Sequence, residues 1–501
     1  MSDDSIANED QFGLSRRRFL GVAAGTAAAG ALAGPVLWQQ PARAGAAVPE
    51  QLHLQFGSDA STQMTVSWAT STAVANPMLR LGTPAGGYGS TVPAITRTYL
   101  DHATGIEVFT HHVPLDKLHP ATEYVYEVLH DGAEPVTGTF ETGPRGRAPF
   151  RFTSFGDQGT GDTTYTVSGP FGAYVVDQVE AKKPLLHLLN GDLAYGNLQH
   201  NPAAAWNAFF NNNMRSARNR PWMPAAGNHE NELGNGPQGF ASYLTRFWLP
   251  DNGIPEFSGN WYAFTAGSVR FVVLQNDDVC FQDAGNFYIR GYSAGAQQRW
   301  LEATLAQARA DRGIDWIVVC MHQLLLSSST GNGSDLGIRE EFGPLFDRYG
   351  VDLVLAGHDH DYERTHPVRG VDADSPTLRP SVVATGTDVV DTSKGTVHMV
   401  LGGGGTDIPT NTYGGGVDGA PPVAKVITGR TATSVQPEVA TWSAVRDPSW
   451  PFGFALIDVD PGSEPGGTTA LHVTYFHTSP GSGSQPQPFE SFTLTRPRND
   501  G

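Results

Sequence analysis

Five short runs in this 501-residue chain close an apolar stretch with side chains that hold cations or move protons. Phe150–Phe155 ends in Gly156-Asp157-Gln158-Gly159, Leu185–Asn190 in Gly191-Asp192-Leu193-Ala194-Tyr195, and Trp222–Ala226 in Gly227-Asn228-His229-Glu230. Ile317–Met321 ends in His322, and Val351–Ala356 in Gly357-His358-Asp359-His360. A single Gly-Asp pair is usually a turn. A single His after a strand is usually a hydrogen-bonded core residue. Five such ends in one chain are not explained by turns. Four His, two Asp, one Asn and one Tyr exceed the three or four ligands of a catalytic zinc site and suit two cations. A carboxylate can bridge ions about 3.5–4 Å apart, a geometry suited to phosphoryl chemistry because attacking and leaving oxygens are both stabilised.

The spacing says which elements must present these groups. Asp157, Asp192 and Asn228 are separated by 35 and 36 residues, and His322 and His358 by 36. One strand–helix–strand unit takes about 30 residues or more, so the groups are expected at the same end of successive parallel strands. That end is where open α/β sheets bind ligands. Apolar runs at Phe150–Phe155, Leu185–Leu189, Val269–Leu274, Trp316–Cys320 and Leu353–Ala356 read as strands. Helical patterns lie between several of them, at Gln297–Ala310 and Arg339–Tyr349. Strands from about 450 onward, at Phe452–Val459, Leu471–Phe476 and Phe489–Leu494, are expected to complete a second sheet behind the first. Gly402–Gly405 lacks the Lys-Ser/Thr of a phosphate loop and reads as a tight turn.

Ahead of this region the texture is all-β. Gln63–Thr70 and Glu123–Leu129 alternate with period two, Asp131-Gly132 marks a turn, and no helical period interrupts Leu52–Thr142. A β-sandwich is expected there, with His111 and His112 on its surface and Pro144–Pro149 as a linker. Earlier still, Arg16-Arg17-Arg18-Phe19-Leu20, a Gly/Ala-rich stretch to Leu37 and Ala42-Arg43-Ala44 have the layout of a cleavable signal. Paired arginines before Phe-Leu resemble a bacterial twin-arginine (Tat) signal. The apolar part, about 17 residues, is short of the roughly 20 needed for a span.

The net charge of −18 is a poor match for nucleic acid or an anionic membrane face. Two Cys exclude a disulfide-stapled scaffold. Whether Cys280 and Cys320 pair is left open, although Cys320 sits in a strand that reads as buried.

Taken in order, GDQG, GDLAY, GNHE, VCMH and GHDH resemble the five-block signature of the calcineurin-like metallophosphoesterases. Tyr195 and the preceding fibronectin type III-like text resemble the purple acid phosphatase branch. The resemblance implies an α/β catalytic domain, a two-sheet αββα sandwich, preceded by an all-β sandwich. The expected division is 1–44 signal, 45–145 fibronectin-like domain and 150–501 catalytic domain. It also implies that Asp157, Tyr195 and His360 bind Fe(III), that Asn228, His322 and His358 bind a divalent Fe, Zn or Mn, and that Asp192 bridges. Two carboxylates and a phenolate suit the trivalent ion, and neutral Asn and His the divalent one. The expected reaction is hydrolysis of a phosphate monoester by a metal-held hydroxide, with His229 bonding phosphate or protonating the leaving alkoxide. Asp359 or Asp361 would tie down ligand rings, and Glu363, Arg364 and His366 would be scaffold.

One departure stands out: plant-type members carry further histidines after the His322 position, and Leu324–Asp335 has none. The expected partners are a phosphorylated small molecule and the Tat machinery, with no nucleic acid and no stable membrane span after cleavage. The protein is expected outside the bacterial cytoplasm. The competing readings are a phosphodiesterase or nucleotide hydrolase of the same superfamily, and a non-catalytic cell-surface binding protein.

Overall fold

The computed structural model describes residues 47–501, apart from 163, 166, 168, 233–238, 283–286, 407–413, 416–420 and 448. The expected signal, residues 1–44, lies outside the described residues. Eight strands come first: β1 (Glu50–Phe56), β2 (Met64–Thr70), β3 (Met78–Thr83), β4 (Gly87–Pro93), β5 (Ile95–Leu100), β6 (Glu107–Leu115), β7 (Glu123–Leu129) and β8 (Val136–Glu141). They form two four-stranded antiparallel sheets, β1-β2-β6-β5 and β4-β3-β7-β8. Met64, Val66 and Trp68, every second residue of β2, enter the core between them with Tyr126 and Phe140.

The rest of the described chain builds two seven-stranded sheets, with a four-stranded and a two-stranded sheet beside them. In the first, β9 (Phe150–Phe155), β10 (Leu186–Asn190) and β11 (Trp222–Ala225) run parallel in the order β11-β10-β9. Between them come helices α1 (Pro170–Ala181) and α2 (Pro202–Ala217), each with a proline in its first turn, where a missing N–H costs nothing. Helix α3 (Ala241–Arg246) follows β11. The second sheet starts with β12 (Tyr262–Ala266), β13 (Val269–Val273) and β14 (Trp316–Cys320), then Leu353–Ala356, Val397–Leu401, Tyr362–Thr365 and Ser443–Arg446. Helices α4 (Ala296–Ala310), α5 (Leu336–Glu341) and α6 (Gly343–Tyr349) belong to this half.

The sheets face one another across an apolar interior in which Phe152 and Leu188 meet Phe271, Val318 and Leu355. Val175, Val179 and Phe210 of α1 and α2 cover the outer face of the first sheet, and Leu301, Ile338 and Phe346 that of the second. The layers are helix, sheet, sheet, helix, so each apolar face is matched by another. This is the expected αββα architecture, preceded by the expected all-β unit.

Several expectations need correction. Strands Gly453–Asp460, Thr468–His477 and Gln487–Pro497 do not form the second sheet; they extend the first beyond β9, each antiparallel to the strand before it. Second-sheet membership falls to β12–β14 and Leu353–Ala356 instead, so the five strand ends are shared between two sheets. The helix expected over Arg339–Tyr349 is two helices, because Pro344 cannot donate to the preceding turn and restarts the helix. The 144–149 segment is pinned: the guanidinium of Arg147 donates to the buried Asp315 at 2.8 Å. His111 and His112 are not on the surface, being 1% and 0% exposed. Neighbours on a strand face opposite ways, so His111 packs 5.4 Å from Trp68 while His112 lies 5.5 Å from Trp248 beyond α3. Both cysteines are buried and free.

Candidate metal centre

The C-terminal ends of β9, β10 and β11 in one sheet, and of β14 and Leu353–Ala356 in the other, open onto the same place. Asp157, Asp192, Tyr195 and His358 all adopt positive φ, between 52° and 72°, a left-handed conformation uncommon outside glycine. Four such residues at strand ends turn their side chains out of the sheets and into one cluster. Gly191, at φ +81°, lies so close to His322 that a Cβ would stand 2.6 Å from its imidazole. Gly404 donates its N–H to Gly156 O at 2.8 Å, so the Gly402–Gly405 turn backs the Asp157 loop.

All seven predicted ligands converge, in two subsets. His322 Nε2 lies 3.0 Å from Asp192 Oδ2, 3.0 Å from Asn228 Oδ1 and 3.2 Å from His358 Nδ1. The Tyr195 hydroxyl donates to Asp157 Oδ1 at 3.3 Å, and His360 Nε2 is 3.2 Å from that hydroxyl and 3.3 Å from the same carboxylate oxygen. The subsets are joined where the His358 N–H donates to Asp157 Oδ2 at 2.8 Å. His229 stands beside them, its Nε2 3.8 Å from Asp192 Oδ2, its ring 4.5 Å from that of Tyr195 and its Nδ1–H donating to Asn197 Oδ1 at 2.9 Å.

The charges in this cluster are not at rest. Burial alone would lower His322, but Asp192 and Asp157 push it up to about 10. Burial alone would raise Asp192, but His322, His229 and His358 carry it below the usual carboxylate range. Burial, and then the charge of Asp157, Asp192 and Glu230, raises the Tyr195 phenol well above its ordinary value. The donor set therefore fits a pair of cations. Asp192 Oδ2, Asn228 Oδ1 and His358 Nδ1 all converge on His322 Nε2 at 3.0–3.2 Å, more acceptors than one N–H can serve, and a buried phenol among three carboxylates needs a strong cation to ionise. Asp192, His322 and His358 alone offer three ligand atoms within 4.8 Å of one another.

Some positioning residues escaped the sequence reading. The Glu230 carboxylate accepts the N–H of Asp192 at 2.9 Å, Leu193 at 2.8 Å and Gly227 at 2.8 Å, locking together the loops that carry the candidate ligands Asp192 and Asn228. Its place three residues after Gly227, the capping-box position, was the available signal. The outward nitrogens of His322 and His358 go to Asn190 O (2.7 Å) and Gln282 Oε1 (2.6 Å). Asp359 instead accepts the hydroxyl of Ser327 at 2.5 Å and the N–H groups of Asn332 and Gly333 at 3.1 Å, while Glu363 holds Ser327 and Ser328. The histidine-free segment is thus stitched to the GHDH block by serine hydroxyls and backbone.

Both parts of the chain are similar to known proteins. Residues 49–142 match the family described as the purple acid phosphatase N-terminal domain, and residues 172–362 match the calcineurin-like phosphoesterases. An uncharacterized protein of Mycobacterium tuberculosis is 50% identical over 97% of each chain. Purple acid phosphatase 21 of Arabidopsis thaliana is 30% identical, over 65% of this chain and 68% of its own length. Purple acid phosphatase PPD1 from yellow lupin seeds has a similar fold, with a TM-score of 0.67 and 22% identity, covering 91% of this chain and 75% of its own.

Proposed function

The chain belongs to the purple acid phosphatase family and is a phosphoesterase hydrolase, and from that premise we propose that it hydrolyses phosphate monoesters outside the bacterial cytoplasm. In this reading Asp157, Tyr195 and His360 hold Fe(III), Asn228, His322 and His358 hold a divalent Fe, Zn or Mn, and Asp192 belongs to both. When bound, such a pair polarises the phosphoryl oxygens and supplies a nucleophile of lowered pKa. The chain's own residues do the rest. Asn197, accepting from His229 Nδ1, leaves His229 Nε2 on the side of the cluster. Once Nε2 takes up a second proton, the imidazolium can bond a phosphoryl oxygen and give that proton to the departing alkoxide, returning to the neutral Nδ1–H form. Glu230 keeps Asp192 and Asn228 in register by holding the backbone of both loops.

Residues 1–44 would direct export through the Tat route, 45–145 form the fibronectin-like domain and 150–501 the catalytic one. Among the described residues no helix is long and apolar enough to cross a membrane.

The observation supporting this reading best is the convergence of seven donors from two sheets beside one imidazole that is not among them. Asn228→Ala tests it. Hydrolysis of p-nitrophenyl phosphate should fall about 10³-fold or more, with bound metal reduced and the far-ultraviolet spectrum unchanged. Unchanged turnover would sink the assignment. The iron is tested separately: a violet absorption band in the oxidised protein should vanish in Tyr195→Phe, and a colourless wild type with full metal content would remove Fe(III) from the reading.

A further inference from the structure

Gln282 lies on the loop that leaves β13, far in sequence from every ligand block, yet its Oε1 is 2.6 Å from His358 Nε2. The loop is held there by a buried carboxylate. Asp335 accepts the N–H of Phe281 at 2.9 Å, of Gln282 at 3.2 Å and of Gly337 at 2.8 Å, so one side chain fixes both the Gln282 backbone and the start of α5. The Cys280 thiol donates to Gln282 O at 3.4 Å. From the other side, the Asn332 amide donates to His358 O at 2.7 Å. The backbone of His358 is thereby anchored independently of Gln282, which leaves the glutamine one thing to set: the orientation and tautomer of the ring.

We propose that Gln282 is the positioning residue of His358. Its carbonyl oxygen holds the proton on Nε2 and so presents the Nδ1 lone pair to the cluster. The inference rests on the reading of His358 as a ligand of the divalent cation. A neutral imidazole has one N–H and one lone pair, and only the lone pair can bind a cation. Nδ1 faces His322 Nε2 at 3.2 Å, inside the cluster, so the proton belongs on Nε2 and its partner must be an acceptor. Among the described residues the buried Gln282 Nε2 has no hydrogen-bond partner, and the carbonyl oxygen is the atom that ties this amide to the site. Turned over, the amide would donate to Nε2 and force the proton onto Nδ1, where it would exclude a cation.

The test compares Gln282→Leu, which cannot accept, with Gln282→Glu, which can, in the full chain freed of metal and titrated with Zn²⁺ against a chelator. Ligand-orienting partners are worth about 10–100-fold in metal affinity, so Gln282→Leu should weaken the site by that factor and Gln282→Glu should stay within about threefold of wild type. Independently of any variant that fails to fold, the ring ¹⁵N shifts of metal-free wild type, assigned with His358→Asn, should show the Nε2–H tautomer. An Nδ1–H tautomer, or unweakened Zn²⁺ binding in folded Gln282→Leu, overturns the proposal. A wild type that binds no Zn²⁺ overturns the ligand reading beneath it.

Discussion

Buried histidines cluster in two places in this molecule, and their neighbours make them different residues. At the shared end of the two sheets His322 lies 3.0 Å from Asp192 Oδ2, and the carboxylates overcome burial and push it up to about 10. Where the N-terminal sandwich meets α3, the partners of His53 and His112 among the described residues include no carboxylate. His53 contacts Gln51 O at 2.6 Å and Arg246 O at 2.9 Å, and His112 contacts Thr245 O at 3.0 Å and the hydroxyl of Ser67 at 2.8 Å. Burial, only partly offset by those carbonyls, brings His53 down to about 4 and leaves His112 well below its ordinary value. The carboxylates suit the first group to cations; in the second, His112 stays neutral, giving its Nε2–H to Thr245 O and accepting the Ser67 hydroxyl at Nδ1, and so joins two layers. A carboxylate within hydrogen-bond reach, more than residue type or burial, is what separates His322 from His53 and His112.

The largest effect that would test this division is at His229, beside the cluster. His229→Ala should lower kcat by about 10²–10⁴-fold while leaving bound metal and unfolding free energy near wild type. Loss of metal in step with activity would place His229 among the ligands and break the distinction between the donor set and the proton-moving group.

The second effect is acid lability. A histidine whose folded pKa is depressed is neutral in the native state, so its contribution is complete above the unfolded value of 6.5. It is lost as pH falls from there through about 4, because the unfolded chain takes up the proton first. For His53 that difference amounts to about 3 kcal/mol. His53→Gln should therefore flatten the decline in urea-unfolding free energy between pH 7 and pH 4.5, measured without metal so that ligand protonation in the cluster is common to both proteins. An equally steep decline in the variant would show that His53 is not held neutral by its surroundings.

The sequence made the metal end far more legible than this interface, and for a physical reason. Each of these candidate ligands sits just after its strand, and all but His322 directly follow a glycine, so type and spacing carried the signal for Asp157, Asp192, Asn228, His322 and His358. Which sheet each strand joins was not readable, because β14 and the strand after β9 in space, Gly453–Asp460, both read as apolar runs of strand length. His111 and His112 were misread because the alternation of β6 says which face a residue takes but not that another layer covers it. Gln282 and Asn197 are uncharged amides on loops; only the fold brings them within 2.6 Å and 2.9 Å of an imidazole.

The smallest effect concerns how far the two regions act separately. Four consecutive carbonyls at the end of α3 are held by the sandwich: Leu244 and Phe247 by Arg97 at 2.8 Å and 3.2 Å, Thr245 by His112, and Arg246 by His53. The Arg97 guanidinium also lies 4.1 Å over the Trp248 ring. Arg97→Gln removes the charge from two hydrogen bonds and one cation–π contact, worth about 1.5–3 kcal/mol of stability. Nothing in those contacts reaches the donor cluster, so kcat should stay within about threefold of wild type. Yet α3 follows the segment that carries Asn228, His229 and Glu230 in sequence. A kcat that fell with stability in Arg97→Gln, at constant metal content, would mean that the sandwich sets the geometry of that segment as well as the fold's resistance to unfolding.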